Sequence, residues 1–176
     1  MYYHRTGNFP KKILASPNDN LNYLLRCETD QQINFIFQLD GQVDAERMKK
    51  AVRLTLDAEP VLGCRFVKDR RKTYWERRDD IDGLNYFEVI ETTKVENELN
   101  KFILSQIDPS LDSIIQVKIF RSEKDTLMIK SDHSVMDGGG FYDYLTLLCD
   151  IYNKLTENPS YNVQPNIQAS RGLKQV

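Results

Sequence analysis

The spacing between apolar residues changes several times along this chain, and these changes restrict its fold more than any other feature. Residues 31–39 (QQINFIFQL) alternate between apolar and polar side chains, which predicts a strand with one apolar face. Residues 43–60 then repeat apolar side chains every three to four positions, which predicts a helix capped by Asp44 and stopped by Pro60. A strand that leads directly into a helix indicates a layered protein containing both element types.

The same two periods recur along the rest of the chain. They predict further strands at residues 62–68, 72–77, 84–91, 113–122 and 125–132, and further helices at residues 18–26, 94–107 and 141–155. Asn18 or Asp19 is expected to cap the first of these helices, and the last two strands are expected to form a hairpin. The interspersed order favours an α/β (α+β) two-layer sandwich, with a mixed, mostly antiparallel sheet and helices packed on one face.

The chain of 176 residues is long enough for one domain with a sizeable core. Residues 1–17 contain two prolines, a glycine and an asparagine, and are expected to form an irregular lead-in. Residues 18–157 contain all the predicted elements and form the predicted domain. Residues 158–176 contain two prolines and many polar residues, and are expected to be a linker or the start of a missing C-terminal half.

Composition argues against several classes of function. Lys and Arg total 24 against 26 for Asp and Glu, so the net charge of −2 gives no electrostatic basis for binding nucleic acid. The basic turn at residues 68–72 is flanked by acidic residues and predicts a solvated hairpin tip. Three scattered cysteines indicate free thiols in a reducing compartment. No segment looks like a signal peptide or a membrane span, so a soluble, cytoplasmic protein is expected.

The segment 131–140 (SDHSVMDGGG) concentrates residues that can carry chemistry. His133 is one of two histidines in the chain, Asp137 follows it by four residues, and three glycines come next. The segment lies where a predicted strand ends and a predicted helix begins, a place where side chains can face a cleft. An imidazole can accept a proton near neutral pH. On spacing alone, a structural histidine, a helix cap and a glycine loop remain open as interpretations.

Three other chemistries receive less support from the sequence. A metal site needs three or four ligands, and the second histidine and the cysteines have no supporting spacing. The glycine run could bind a phosphate at a helix start, but it lacks the Gly-Lys-Ser/Thr of a P-loop. A serine hydrolase has no GxSxG motif here. No metal and no nucleotide are therefore expected.

The residues HSVMDG at 133–138 resemble the HxxxDG motif of the CoA-dependent acyltransferase superfamily. This superfamily includes chloramphenicol acetyltransferase, the condensation domains of nonribosomal peptide synthetases, and plant and fungal alcohol acyltransferases. The hairpin before the motif and the long helix after it also look like that family. So do residues 35–66, where a strand leads through Asp44 into a helix and the pattern PxLxxRF opens the next strand. The resemblance spans roughly residues 18–157 and implies a chloramphenicol acetyltransferase-like fold.

The resemblance implies transfer of an acyl group from a CoA or carrier-protein thioester to a small alcohol or amine. The thioester is then a co-substrate, and no tightly bound cofactor is expected. His133 corresponds to the family's general base. Asp137 corresponds to an aspartate that forms a structural ion pair with an arginine, and Gly138 to a glycine where a side chain would crowd the channel. Further candidates for lining the channel are Asp132, Ser134 and Gly139.

Two departures from the family pattern accompany this resemblance. Asp132 replaces the first histidine of the HHxxxDG form, and strand alternation places its side chain away from His133. The chain also has the length of only one of the family's two similar domains. We therefore expect an N-terminal half, either a piece of a longer protein or the product of a shortened gene. Its partner would be a C-terminal acyltransferase-like half or a second copy of the chain.

Two alternatives to an acyltransferase remain open at the level of sequence. The first is a non-catalytic binding or assembly module, or a remnant, with an acyltransferase fold. The second is an unrelated α/β domain in which HxxxDG occurs by chance. The second alternative predicts that His133 is buried and hydrogen-bonded by core groups.

Overall fold

The computed structural model describes residues 11–166. Predictions for residues 1–10 and 167–176, which include most of the lead-in and the end of the expected linker, lie outside the described residues. In chain order the elements are β1 (Lys12–Leu14), α1 (Pro17–Leu25), β2 (Gln32–Gln38), α2 (Ala45–Ala58), β3 (Cys64–Asp69), β4 (Lys72–Arg77), β5 (Phe87–Glu91), α3 (Val95–Leu104), β6 (Ile115–Arg121), β7 (Asp125–Asp132) and α4 (Gly138–Glu157). Short 3-10 turns lie at Pro60–Gly63 and Ile81–Gly83.

The larger sheet has four strands in the order β2-β7-β6-β5. The β6–β7 and β2–β7 pairs are antiparallel, whereas β5 and β6 are parallel and are joined through α3. Ile129 at the centre of β7 pairs with Phe35 on one side and Val117 on the other. The predicted hairpin and the predicted mixed, mostly antiparallel sheet are confirmed.

The smaller sheet has three strands in the order β1-β4-β3. The β3–β4 hairpin turns at Arg70, whose φ of 48° lies in the left-handed region, and the turn is exposed as predicted. β1 corrects the expectation of an irregular lead-in, because Lys12–Leu14 pairs with β4. Only three residues form this strand and Leu14 is exposed, so no apolar alternation marks it in the sequence.

The core lies mainly on one face of the larger sheet, under α2 and α4. Phe141 of α4 stacks on Phe35 of β2 with ring centroids 3.5 Å apart, and both helices contribute fully buried side chains. On the opposite face, Phe102 of α3 packs with Phe120 and Met128, which alternate with core residues along β6 and β7. The predicted one-sided packing thus describes α2 and α4, and α3 adds a smaller layer behind the sheet.

Two helix starts differ from the prediction. The N-cap of α1 is Ser16 rather than Asn18 or Asp19, because Ser16 and Asp19 form a capping box. In that box the backbone N–H of Ser16 donates to the Asp19 carboxylate at 2.9 Å. The α4 helix begins at Gly138, three residues before the predicted start, so the three glycines are its first turn. No helix within residues 11–166 is both long enough and apolar enough to cross a membrane.

Candidate active site

The HxxxDG segment forms the turn between β7 and α4. At its start, the backbone N–H of Asp132 donates to the carbonyl of Ile114 at 3.0 Å. The next N–H, from His133, donates to the carbonyl of Gln31 at 2.8 Å. Ile114 immediately precedes β6 and Gln31 immediately precedes β2, so the backbone of the turn is fixed to both neighbours of β7.

The side chain of His133 is partly exposed at this turn. Asn22 of α1 approaches it with its amide nitrogen Nδ2, which lies 3.3 Å from Nδ1 of the imidazole. The same amide nitrogen donates to the backbone carbonyl of His133 at 3.1 Å. Within residues 11–166 the other ring nitrogen, Nε2, has no hydrogen-bond partner. This arrangement differs from the buried histidine bonded by core groups that a chance motif predicts.

Sequence reasoning did not identify Asn22 as part of this site. It lies 111 positions from His133, in a helix whose recognition rested only on its capping residues and leucines. Asparagine is common on exposed helix surfaces, and no local pattern distinguishes Asn22 from Asn20 or Asn18. Contacts between distant elements bring α1 beside the motif: β2, which follows α1, pairs with β7, and α1 itself contacts the smaller sheet through Tyr23 stacked on Phe66.

Asp132 and Ser134 are buried, with 3% and 2% of their surfaces exposed. One carboxylate oxygen of Asp132 accepts from the backbone N–H of Ser134 at 2.9 Å and also from its hydroxyl group. Burial raises the pKa of the Asp132 carboxyl group, although the hydrogen bonds from Ser134 oppose the shift. Both side chains lie beneath the surface of residues 11–166, and their role in lining a channel stays a prediction.

Asp137 is the N-cap of α4. Its carboxylate accepts from the backbone N–H of Gly140 at 2.8 Å. The predicted ion pair between Asp137 and an arginine stays a prediction. A Cβ atom placed on Gly138 meets no atom of residues 11–166 within 4 Å, so this part of the chain does not produce the expected crowding there. Gly139 is exposed, and its role in lining a channel stays a prediction.

An apolar patch lies on the helix that carries Asn22. Leu21, Leu24 and Leu25 are 54%, 65% and 38% exposed. Their spacing places them on one face of α1, and we call them the leucine stripe. A single exposed leucine is ordinary, but three on one helix face beside a candidate site form a contact surface that residues 11–166 leave uncovered.

A cavity of about 570 Å³ lies behind the turn. Its lining includes Val135, Met136 and Gly140 from the motif side and Pro60 and Tyr144 from the facing elements. His133 is not among the residues that line this cavity. Within residues 11–166 no group of three or more His, Cys, Asp or Glu side chains is arranged to hold a metal ion.

Comparison of the sequence with protein-family models gives no match, and comparison with curated proteins gives none either. Solved structures, however, match most of the chain. The first condensation domain of the calcium-dependent antibiotic synthetase, in complex with a substrate analogue, matches with a TM-score of 0.70 at 14% identity. The chain has the condensation-domain fold. The predicted fold class and the predicted structural likeness are therefore confirmed.

Two further structures extend this likeness. A chain of the complex of the X-domain and OxyB from teicoplanin biosynthesis matches with a TM-score of 0.69 at 14% identity. Polyketide synthase associated protein 5 from Mycobacterium tuberculosis matches with a TM-score of 0.66 at 16% identity. The matches cover 85–88% of this chain but only 35–40% of those three chains. The chain thus spans less than half the length of the structures it resembles, which is consistent with the predicted N-terminal half.

Proposed function

We propose that this chain is an acyltransferase-type domain with His133 as its general base. It would transfer an acyl group from a CoA or carrier-protein thioester to an alcohol or amine. The observation that carries the proposal is a partly exposed imidazole at the strand-to-helix turn of a condensation-domain fold. The turn is fixed through its backbone to β2 and β6, so the ring has a defined position. A general base needs such a position more than it needs an unusual pKa.

The proposed reaction uses the imidazole as a transient proton carrier. The unprotonated ring nitrogen of His133 accepts the proton of the alcohol or amine as that group attacks the thioester carbonyl. The tetrahedral intermediate then collapses, the carbon–sulfur bond breaks, and the imidazolium returns the proton to the leaving thiolate. No net proton is gained or lost. Residues that orient the two substrates supply the rest of the rate enhancement by bringing the reacting atoms together.

The second wall of the site would come from outside the described residues. The chain spans only 35–40% of the three structures compared, and the leucine stripe lies uncovered on the helix whose Asn22 contacts His133. A C-terminal acyltransferase-like half, or a second copy of this chain, would cover that surface and enclose the imidazole. The thioester and the acceptor would then meet between the two parts.

The test is a thioester-cleavage assay with acyl-CoA and acyl-carrier donors and a panel of alcohols and amines. It is run on this chain and on the longest natural protein that contains it. We expect acceptor-dependent cleavage that falls about 10²- to 10⁴-fold in His133→Ala, the usual contribution of a general base. His4→Ala, the same change at the other histidine of the chain, is the matched control and should keep full activity. Unchanged turnover in a folded His133→Ala variant would rule out the catalytic role.

A second candidate function is a non-catalytic binding or assembly module. One matching structure was solved as a complex of the X-domain with a second protein, OxyB, and the exposed leucine stripe offers a contact surface here. If neither protein length cleaves any thioester, this candidate is favoured. Leu21→Ser combined with Leu24→Ser should then abolish association of the chain with a second copy of itself or with the C-terminal half, as measured by sedimentation. His133→Ala should not change that association.

A further inference from the structure

The amide group of Asn22 has only one orientation that satisfies its neighbours. Its Nδ2 atom lies 3.1 Å from the backbone carbonyl oxygen of His133. A carbonyl oxygen can only accept a hydrogen bond, so the NH₂ end of the amide must face it. The same NH₂ group carries a second N–H, and Nδ1 of the imidazole lies 3.3 Å away. Nδ1 is therefore placed as an acceptor.

We infer that Asn22 is a positioning residue that holds neutral His133 in the tautomer with its proton on Nε2. In a neutral imidazole one nitrogen donates and the other accepts, and the partner of one nitrogen decides which is which. Since Nδ1 accepts from Asn22, Nε2 carries the proton. Nε2 is also the ring nitrogen without a partner in residues 11–166, so the ring presents a hydrogen-bond donor outward.

The catalytic meaning of this inference rests on the proposed function. A base acting through Nε2 needs the opposite tautomer, with the proton on Nδ1. To support that tautomer, Asn22 must turn its Oδ1 atom toward Nδ1, which breaks its bond to the His133 carbonyl. The chain as folded therefore holds His133 as a donor, and a turn of the Asn22 amide group is needed to convert it to a base.

Nitrogen-15 NMR with long-range proton correlation tests the inference directly. His4→Gln leaves His133 as the only imidazole, so the ring signals need no further assignment. The spectrum is recorded about two pH units above the ordinary histidine pKa of about 6.5, where an imidazole is neutral. We expect the nitrogen-15 chemical shift of Nε2 to be that of a nitrogen carrying a proton, and the shift of Nδ1 to be that of a nitrogen without one. A protonated Nδ1 in this protein overturns the inference.

Asn22→Asp is the informative variant because it preserves the shape of the side chain. A carboxylate only accepts, so it should draw the proton to Nδ1 and reverse the two shifts. Asn20→Asp, the same change two residues earlier on α1, is the matched control and should leave the shifts unchanged. If Asn22→Asp does not fold, Asn22→Leu removes the donor and should lower the fraction protonated on Nε2. An unchanged tautomer in a folded Asn22 variant overturns the positioning role.

The tautomer is measured without turnover, so its outcome is separate from that of the cleavage assay. If His133 is a base, Asn22→Asp should increase the rate of acceptor-dependent cleavage, since it preforms the base tautomer. A reversed tautomer with an unchanged or lower rate would keep the positioning role of Asn22 and reject His133 as the base. A third outcome is that cleavage is lost in His133→Ala but the tautomer is unchanged in Asn22→Asp. This result would reject the positioning role of Asn22 and keep His133 as the base.

Discussion

The buried side chain of Lys130 should make the stability of this fold depend on pH. It is fully buried in the central strand β7, on the face covered by α3. Its Nζ atom donates to the carbonyl of Phe102, to the carbonyl of Ser105 at 2.5 Å and to the hydroxyl of Ser105 at 2.9 Å. These groups lie at the C-terminal end of α3, where a cation is favourable. Burial nevertheless lowers the pKa of Lys130 from 10.5 to about 8.

The sign of the resulting pH dependence follows from linkage. The folded pKa lies below the unfolded pKa, so between pH 8 and 10.5 the unfolded chain binds more protons than the folded chain. The free energy of unfolding therefore rises with pH across this window. A shift of this size corresponds to a cost of about 3 kcal/mol at pH 7, of which about 2.5 kcal/mol is relieved by pH 10.

Urea unfolding of the wild type and Lys130→Met between pH 7 and 10 measures this effect. The methionine has similar length and no charge, so its contribution should not change with pH. We expect the wild type to gain about 2.5 kcal/mol relative to Lys130→Met over that range. Lys124→Met, at a lysine whose side chain is 63% exposed, is the matched control and should run parallel to the wild type. Parallel curves for the wild type and Lys130→Met would refute the reasoning.

Two further predictions concern stability. Asp57 bridges the buried side chains of Arg53 and Arg77, so Asp57→Asn should destabilise the fold by about 3 kcal/mol by removing the charge between two buried cations. A urea midpoint like that of the wild type would contradict this. Asp137→Ala should cost about 1 kcal/mol because Gly140 loses its cap, whereas Asp137→Asn retains the cap and should be neutral. Equal losses in both variants would show that the charge of Asp137 matters, as an ion pair requires.

The sequence predicted those elements whose apolar pattern is long and regular. The alternation of Ile33, Phe35 and Phe37 and the helical repeat of Met48 and Val52 both gave the correct element type. In each case one face of the element is buried against the rest of the fold, so apolar residues recur at a regular spacing within a short stretch of sequence. The HxxxDG segment was likewise placed correctly at a strand-to-helix junction, because it lies between two such elements.

The features that the sequence missed depend on contacts between distant residues. β1 is a strand only because β4 offers it an edge, and Asn22 belongs to the site only because its helix lies beside β7. The burial of Asp132 is also a tertiary effect, since a carboxylate next to a histidine is equally compatible with an exposed turn. The cap of α1 is different. Ser16 and Asp19 have the spacing of a capping box, and that local signal was available.

The order of strands in the larger sheet has a consequence for how the site assembles. β6 and β7 are neighbours in sequence and can pair early, whereas β2 must close a loop of 100 residues, from Gln32 to Asp132, before it reaches β7. The two contacts that fix His133 from outside its own hairpin come from Gln31, which immediately precedes β2, and from Asn22 on the helix before β2. We therefore expect the imidazole to become ordered only after these distant segments have reached β7. Partly folded chains would then contain the motif without a defined ring geometry.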